Sequence, residues 1–157
     1  MKMCVQRVIT PNGVLENTSL IIENGVIVAI ELAGSEPVQA GTLIPGYFDT
    51  QVNGGGGVLF NQQPDAASLD KLARAHLCFG TTSMLPTLIT DGEPAMARAA
   101  DAIAEVIAED HPTIVGVHFE GPFLNVAKKG VHEAGFIRHP KDSELAILSR
   151  QDLGRVL

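Results

Sequence analysis

The sequence predicts an α/β fold, and three observations predict it. Apolar segments of strand and helix length alternate through the middle of the chain. A short all-β stretch, punctuated by Asn24-Gly25, precedes them. Polar side chains gather toward the C-terminal ends of the strands in the alternating part. A β-α-β-α-β order implies parallel strands with helices packed outside. A doubly wound sheet and a barrel both satisfy that order.

The elements follow in turn. Val5 to Ile9 reads as a strand. Ser19 to Glu23 and Val26 to Glu31 flank Asn24-Gly25, where both positions tolerate positive φ, so a tight hairpin is expected. Ala33 to Gly41 carries Gly, Ser and Pro and reads as a linker. Leu43 to Asn53 reads as the first strand of the alternating region, followed by the run Gly54 to Gly57. That run lacks a Walker lysine and a GxGxxG-to-helix context, so it is not a nucleotide loop. Ser68 to Phe79 reads as a helix with Leu69, Leu72, Ala73, His76 and Leu77 on one face, ended by Gly80. Thr81 to Ile89 is strand-like. Asp91 is expected to cap a helix to about Glu109, with Met96, Ala99, Ala100, Ile103 and Ile107 as its stripe. Thr113 to Glu120 is a third strand. A long loop and a weak helix from about Ser143 close the pattern.

Bulk properties narrow the function classes. The chain has 157 residues, 45% hydrophobic and 18% charged, which is globular composition. A net charge of −7 without a basic stripe makes nucleic acid an improbable partner. Two cysteines, Cys4 and Cys78, stand far apart in no pair motif, which speaks against a disulfide framework or a cysteine-rich zinc site. The first residues lack an apolar signal core, and no apolar run has the length of a membrane span. A reducing, cytoplasmic setting without membrane attachment is the expectation.

Strand periodicity separates two faces. Tyr47, Asp49, Gln51 and Asn53 share one face, and Phe48, Thr50 and Val52 the other. Ile114, Gly116, His118 and Glu120 share one face of the third strand, and Val115, Val117 and Phe119 the other. The apolar faces should meet the helices. Polar groups gathered inside are costly unless they serve one another or a ligand. Glu120, at a strand terminus just before Gly121-Pro122, can ligate a divalent metal, or can be an ordinary junction carboxylate. Gln51 and Asn53 are weak ligands for zinc-like ions, and a polar pair serving the glycine-rich turn is the plainer reading. His132 lies in the long loop and could meet a substrate oxygen. His118 reads as an interior hydrogen-bonding residue, His76 as a packed helix residue, and His111 and His139 as structural. Lys128-Lys129 could attract an anion, or be merely solvated.

Taken together, these motifs carry a resemblance. Pro45-Gly46-Tyr47-Phe48-Asp49-Thr50-Gln51-Val52-Asn53-Gly54 resembles the first barrel strand of the amidohydrolase superfamily. Gly80-Thr81-Thr82-Ser83-Met84-Leu85-Pro86-Thr87-Leu88-Ile89-Thr90 is similar to the N-acetylglucosamine-6-phosphate deacetylase family within it. So is Gly116-Val117-His118-Phe119-Glu120-Gly121-Pro122-Phe123-Leu124-Asn125, followed by Lys128-Lys129-Gly130-Val131-His132. The likeness runs to about Arg138.

The resemblance implies an incomplete (β/α)8 barrel of TIM type. Its first three strands would occupy residues 45–157, preceded by part of a small β-sandwich domain in residues 1–44. It implies Glu120 as a metal ligand and Val131 and His132 as sugar contacts. Gln51 and Asn53 would lie near the metal in place of the usual histidine pair, so one divalent metal is implied: zinc, with iron or manganese as alternatives. It implies hydrolysis of the N-acetyl group of N-acetylglucosamine 6-phosphate by a homodimer. The family's other metal ligands, two histidines on later strands, and its catalytic aspartate have no matching position here. A complete barrel needs about 250 residues. The chain alone is therefore expected to be inactive. Other amidohydrolases, dihydroorotase-like or deaminase-like, normally carry His-x-His at the Gln51 and Asn53 positions. A non-catalytic sugar-phosphate-binding or subunit module is the alternative of a different class.

Overall fold

A computed structural model describes all 157 residues and divides them into two compact units, Met1–Pro45 and Gly46–Leu157. No helix is long and apolar enough to cross a membrane.

The first unit is a four-stranded sheet. Strands β1 (Lys2–Thr10), β2 (Gly13–Glu23), β3 (Val26–Leu32) and β4 (Ala40–Leu43) lie in the order β3-β2-β1-β4. The β2–β3 hairpin forms where expected. Asn24 (φ 49°) and Gly25 (φ 78°) both take positive φ, as a two-residue hairpin turn demands. Strand β4 departs from the sequence reading. Ala40 and Gly41 were expected in a linker, yet Ala40 pairs with Val5 and Leu43 with Val8, parallel to β1. Strand β1 supplies the ladder partners that this weak β-former segment lacks by itself. The core here is small: Val5, Val8 and Leu20, with Met3, Ile22, Ala40 and Leu43 against it.

The second unit alternates strands and helices. Its strands β5 (Tyr47–Val52), β8 (Thr81–Ile89), β9 (Gly116–Glu120) and β10 (Arg155–Val156) pair in the order β10-β9-β8-β5, all parallel. Helices α1 (Ala66–Leu77), α2 (Glu93–Ala108) and α3 (Asp142–Leu148) fall between them. A two-stranded hairpin, β6 (Gly54–Gly55) with β7 (Val58–Leu59), follows β5. Four strands replace the three expected. β10 is two residues long and is a strand only because Arg155 and Val156 pair with Gly116 and Val117. The stretch read as one strand from Leu43 to Asn53 is broken at Ile44–Gly46, where Pro45 has no N–H to give a ladder.

The helices pack as their periodicity requires except at the end of α1, where Leu77, read on the packed face, is 51% exposed because the helix stops there. Met96, Ala99, Ala100 and Ile103 of α2 and Leu69, Leu72 and Ala73 of α1 are buried. They meet Val52, Met84, Leu88 and Val117, the helix-facing side chains of the sheet. Burying the larger of these side chains contributes about 2 kcal/mol each and fixes which strand face turns the other way. Asp65 caps α1 by accepting the Ser68 N–H at 2.7 Å. Asp91 does not cap α2 from the N-cap position. Gly92 holds that position without a side-chain cap, and the Asp91 carboxylate accepts from Gly92 N (2.7 Å) and Asn61 Nδ2 (3.1 Å).

Candidate active site

Val52 of β5 and the apolar side chains of β8 and β9 meet the helices, whereas Phe48, expected to do the same, is 49% exposed; the polar groups of the opposite face converge at the C-terminal strand ends. Gln51 on β5 donates from Nε2 to Glu120 Oε2 on β9 at 2.9 Å. These residues are 69 positions apart in the chain, brought together by β8 lying between their strands. His132, from the loop after β9, places Nε2 3.3 Å from Glu120 Oε1. The two carboxylate oxygens of Glu120 thus face an amide and an imidazole, and neither neighbour is a fixed cation. Gln51, Asn53, Asn61, Glu120, Val131 and His132 line a cleft of about 270 Å³, with Leu59 and Ile89 as its apolar wall.

The expected site residues are all accounted for. Glu120 turns into the cleft, beside Gln51 and His132. Asn53 reaches the same cleft, and its Nδ2 is buried without a hydrogen-bond partner. A buried amide donor left unpaired costs free energy, and such an orphan calls for an explanation. Val131 is 92% exposed and lines the rim of the cleft, where it can meet a ligand. His132 is 7% exposed, not the open loop histidine its position suggests. Lys129 Nζ donates to the His132 carbonyl at 3.1 Å, so one half of the basic pair holds the loop.

Three of the remaining histidines serve the frame, while His139, read as structural, is exposed. His118 Nδ1 meets Thr87 Oγ1 at 3.2 Å, and the same hydroxyl accepts Val52 N–H at 3.0 Å. His76 meets the Gly54 carbonyl at 3.0 Å and so pins the glycine hairpin to α1. A Cβ on Gly55 would lie 2.8 Å from His76 Nε2, so any larger residue there would have to push the imidazole aside. His111 Nδ1 accepts the Thr113 and Ile114 amides at 3.1 Å.

Two residues at the site were not singled out from the sequence. Asn61 acts as a one-residue strand. Its Nδ2 donates to Ile89 O and its Oδ1 accepts Ile89 N–H, both at 3.0 Å, which continues the β8 ladder beyond the end of β5. Thr90 is buried, meets His132 Nδ1 at 2.8 Å and donates to the Glu120 carbonyl at 3.2 Å. The signal for both was weak, since an Asn after a hairpin and a Thr at a strand end usually serve turns.

The donor set bears on a metal. A carboxylate facing a cleft, with only neutral or weakly basic partners, fits one arm of a divalent site. No group of three or more His, Cys, Asp and Glu side chains occurs in the chain, so a closed coordination set is not assembled from its own residues.

Comparison with known proteins gives these features a context. No protein-family model matches the chain. Individual relatives do, and they form one class: deacetylases of N-acetylated hexosamine phosphates. An N-acetylgalactosamine-6-phosphate deacetylase from Shewanella sp. (strain ANA-3) is 42% identical over 157 residues, spanning 94% of the chain and 40% of the relative. An N-acetylglucosamine-6-phosphate deacetylase from Haemophilus influenzae is 34% identical over 137 residues, covering 82% and 36%. Among solved structures, the N-acetylglucosamine-6-phosphate deacetylase of Pasteurella multocida superposes with a TM-score of 0.84 at 30% identity, over 94% of this chain and 41% of that one. A Mycobacterium smegmatis deacetylase variant, solved in complex with N-acetyl-D-glucosamine-6-phosphate, gives 0.79 at 28% identity, over 93% and 39%.

In sequence and fold the chain corresponds to the N-terminal portion of the N-acetylglucosamine- and N-acetylgalactosamine-6-phosphate deacetylases. It spans about two fifths of the length of these relatives.

Proposed function

We propose that this chain is the metal-ligating and sugar-contacting front part of a metal-dependent amide hydrolase. The enzyme would remove the acetyl group of N-acetylglucosamine 6-phosphate to give glucosamine 6-phosphate and acetate. The observation that carries the reading is the position of Glu120. Its carboxylate sits at a strand terminus, in a cleft with Gln51 and His132, inside a fold shared with these deacetylases.

The sheet belongs, in this reading, to an incomplete (β/α)8 barrel, with part of a small β-sandwich before it. Glu120 is the ligand this chain offers to the metal, which is zinc, or alternatively iron or manganese. When bound, the metal supplies Lewis acidity, bringing its water toward a neutral pKa and stabilising oxyanion charge. The chain's own residues prepare the place. Gln51 and His132 hold the carboxylate in one orientation. Asn53 lines the same cleft. His132 and the exposed Val131 contact the sugar. The acid that moves the proton to the leaving amine has no candidate here. The working enzyme is a homodimer in the cytoplasm, acting on a sugar phosphate without nucleic acid or membrane.

A second reading has a specific observation behind it. The Shewanella relative at 42% identity is named for the galacto epimer, so N-acetylgalactosamine 6-phosphate is the rival substrate.

The test is a fusion of this chain to the remaining segment of the Shewanella deacetylase, assayed for acetate release from both hexosamine phosphates. Turnover of either substrate, lost by at least a hundredfold in Glu120→Ala, is the expected result. A folded, zinc-loaded fusion that works equally well with Glu120→Ala overturns the reading. Alone, the chain is expected to release no acetate above the Glu120→Ala background.

A further inference from the structure

We propose that Arg138 is a positioning residue that holds His132 in the cleft by strapping the loop after β9 to the frame behind it. His132 has a sugar to contact only on the deacetylase reading, so the use of the strap rests on that reading. Between Gly121 and Lys141 only Pro122 and His132 are buried. Apolar burial therefore does little to fix this stretch, and polar ties must hold it. Several of these ties move with the loop. His132 N–H donates to Lys129 O at 3.0 Å, and Lys129 Nζ donates to His132 O at 3.1 Å. Arg138 N–H donates to Pro122 O at 3.3 Å and closes the neck of the loop. The hydrogen bonds and ion pairs that leave the loop for the frame start from His132, Arg138 and Lys141.

The Arg138 guanidinium uses its whole fork, whose N–H hydrogens all find a contact. Nε donates to Glu144 Oε1 at 2.6 Å, and Nη2 pairs with the same oxygen. Nη1 donates to the Asp91 carbonyl at 2.9 Å and to the Phe136 carbonyl at 2.6 Å. Nη2 also lies 3.7 Å from Met96 Sδ on α2. The acceptors are themselves fixed. Glu144 accepts the Lys141 amide at 3.0 Å, and the Asp91 carboxylate is held by Gly92 N and Asn61 Nδ2.

Asp91 directly follows Thr90, whose Oγ1 meets His132 Nδ1 at 2.8 Å. The segment from His132 to Arg138 is thus bolted at both ends to adjacent residues between β8 and α2. The contacts of His132 alone are too weak to hold an exposed segment against the conformational freedom it gives up. The fork at the other end leaves only the residues between them free to move. Lysine at this position keeps the charge opposite Glu144. As a compact donor on a flexible stem, it cannot span Glu144, Asp91 and Phe136 at once.

The experiment reads the His132–Thr90 contact in the isotope-labelled, metal-free 157-residue chain. Nuclear Overhauser cross-peaks are measured between the His132 ring, assigned by its absence in His132→Gln, and the Thr90 side chain. The parent chain should show them. Arg138→Lys should fold with the cross-peaks of the buried cluster around Met96 and Ile103 unchanged. Its His132–Thr90 intensity should fall about fivefold or more, on the scale of one lost hydrogen-bonded anchor. Arg138→Met/Glu144→Gln leaves no buried charge unpaired, should lose as much, and decides the matter should the lysine variant not fold. Lys141→Ala, which removes the exposed 3.6 Å pair with Glu93, should keep the parent intensity. A brace that merely stabilises would lower the unfolding midpoint in urea and leave the contact in the folded molecules as it was. Parent intensity in either Arg138 variant, no contact in the parent chain, or an equal loss in Lys141→Ala overturns the proposal. Neither metal nor substrate takes part. Failure here therefore leaves the deacetylase reading standing, and a fusion indifferent to Glu120 leaves this one standing.

Discussion

Two glutamates of the second unit, Glu144 and Glu120, show how a carboxylate's neighbours distinguish a brace from a binding group. Glu144, on α3, is 0% exposed and fully answered. Arg138 Nε donates to it at 2.6 Å, a second Arg138 nitrogen pairs with the same oxygen, and the Lys141 amide donates at 3.0 Å. Arg138 also donates to the Asp91 and Phe136 carbonyls, so the ion pair ties the loop after β9 to the start of α2. Glu120 has no such cation. It has an amide, an imidazole and an open cleft. A carboxylate saturated by an arginine has nothing left for a ligand. One held only by weak donors keeps its charge available.

The contrast can be broken from either side. The largest effect on folding is expected for Arg138→Ala. It leaves Glu144 buried without its cation and should lower unfolding stability by about 2–3 kcal/mol in urea titration. Removing the charge at Glu120 should do the opposite in kind. Glu120→Gln is expected to change stability by less than about 1 kcal/mol, since its partners are neutral or weak and its side chain is partly exposed. A loss as large as that of Arg138→Ala would make Glu120 a second brace.

Acid sharpens the comparison. Burial alone would raise the Glu144 pKa, but the Arg138 hydrogen bond, the Lys141 amide and the nearby charges carry it below its ordinary value of 4.5. A folded-state pKa below the unfolded one gives stability that is fully present above the unfolded value. It is lost as pH falls through the folded value. Stability followed by circular dichroism should therefore fall below about pH 4.5, and fall less in Glu144→Gln. A parallel acid response in both proteins would contradict the assignment. The smallest effect is expected for Gln51→Leu, which removes one neutral donor from the partly exposed Glu120 and should cost no more than about 0.5 kcal/mol.

Much of the fold was open to reading from the sequence, though the Glu144–Arg138 brace was not, and the reasons for what was hidden are physical. The alternation from Tyr47 to Glu120 announces parallel strands and buried helix stripes, because burial follows local periodicity. Asn24-Gly25 announces its hairpin because the turn needs two positive φ values. β10 was invisible, since Arg155 and Val156 become a strand only through Gly116 and Val117. Ala40 to Leu43 was hidden for the same reason, its pairing to β1 being non-local. Asp91 looked like a helix cap, but Asn61, thirty positions away, and the neighbouring Gly92 amide take its carboxylate. Glu120 and His132 could be picked as candidates from their residue types and setting. Their meeting, and the part of Thr90 in it, required coordinates because it depends on how the loop after β9 folds back on β8.

The central claim is that Glu120 is the chain's offering to a divalent metal. Calorimetric titration of the purified chain with zinc tests it most directly. The account predicts weak binding, micromolar or poorer because one carboxylate cannot grip an ion alone, and its loss in Glu120→Ala. Zinc affinity that is unchanged in Glu120→Ala, or sub-micromolar affinity at this cleft, would contradict it.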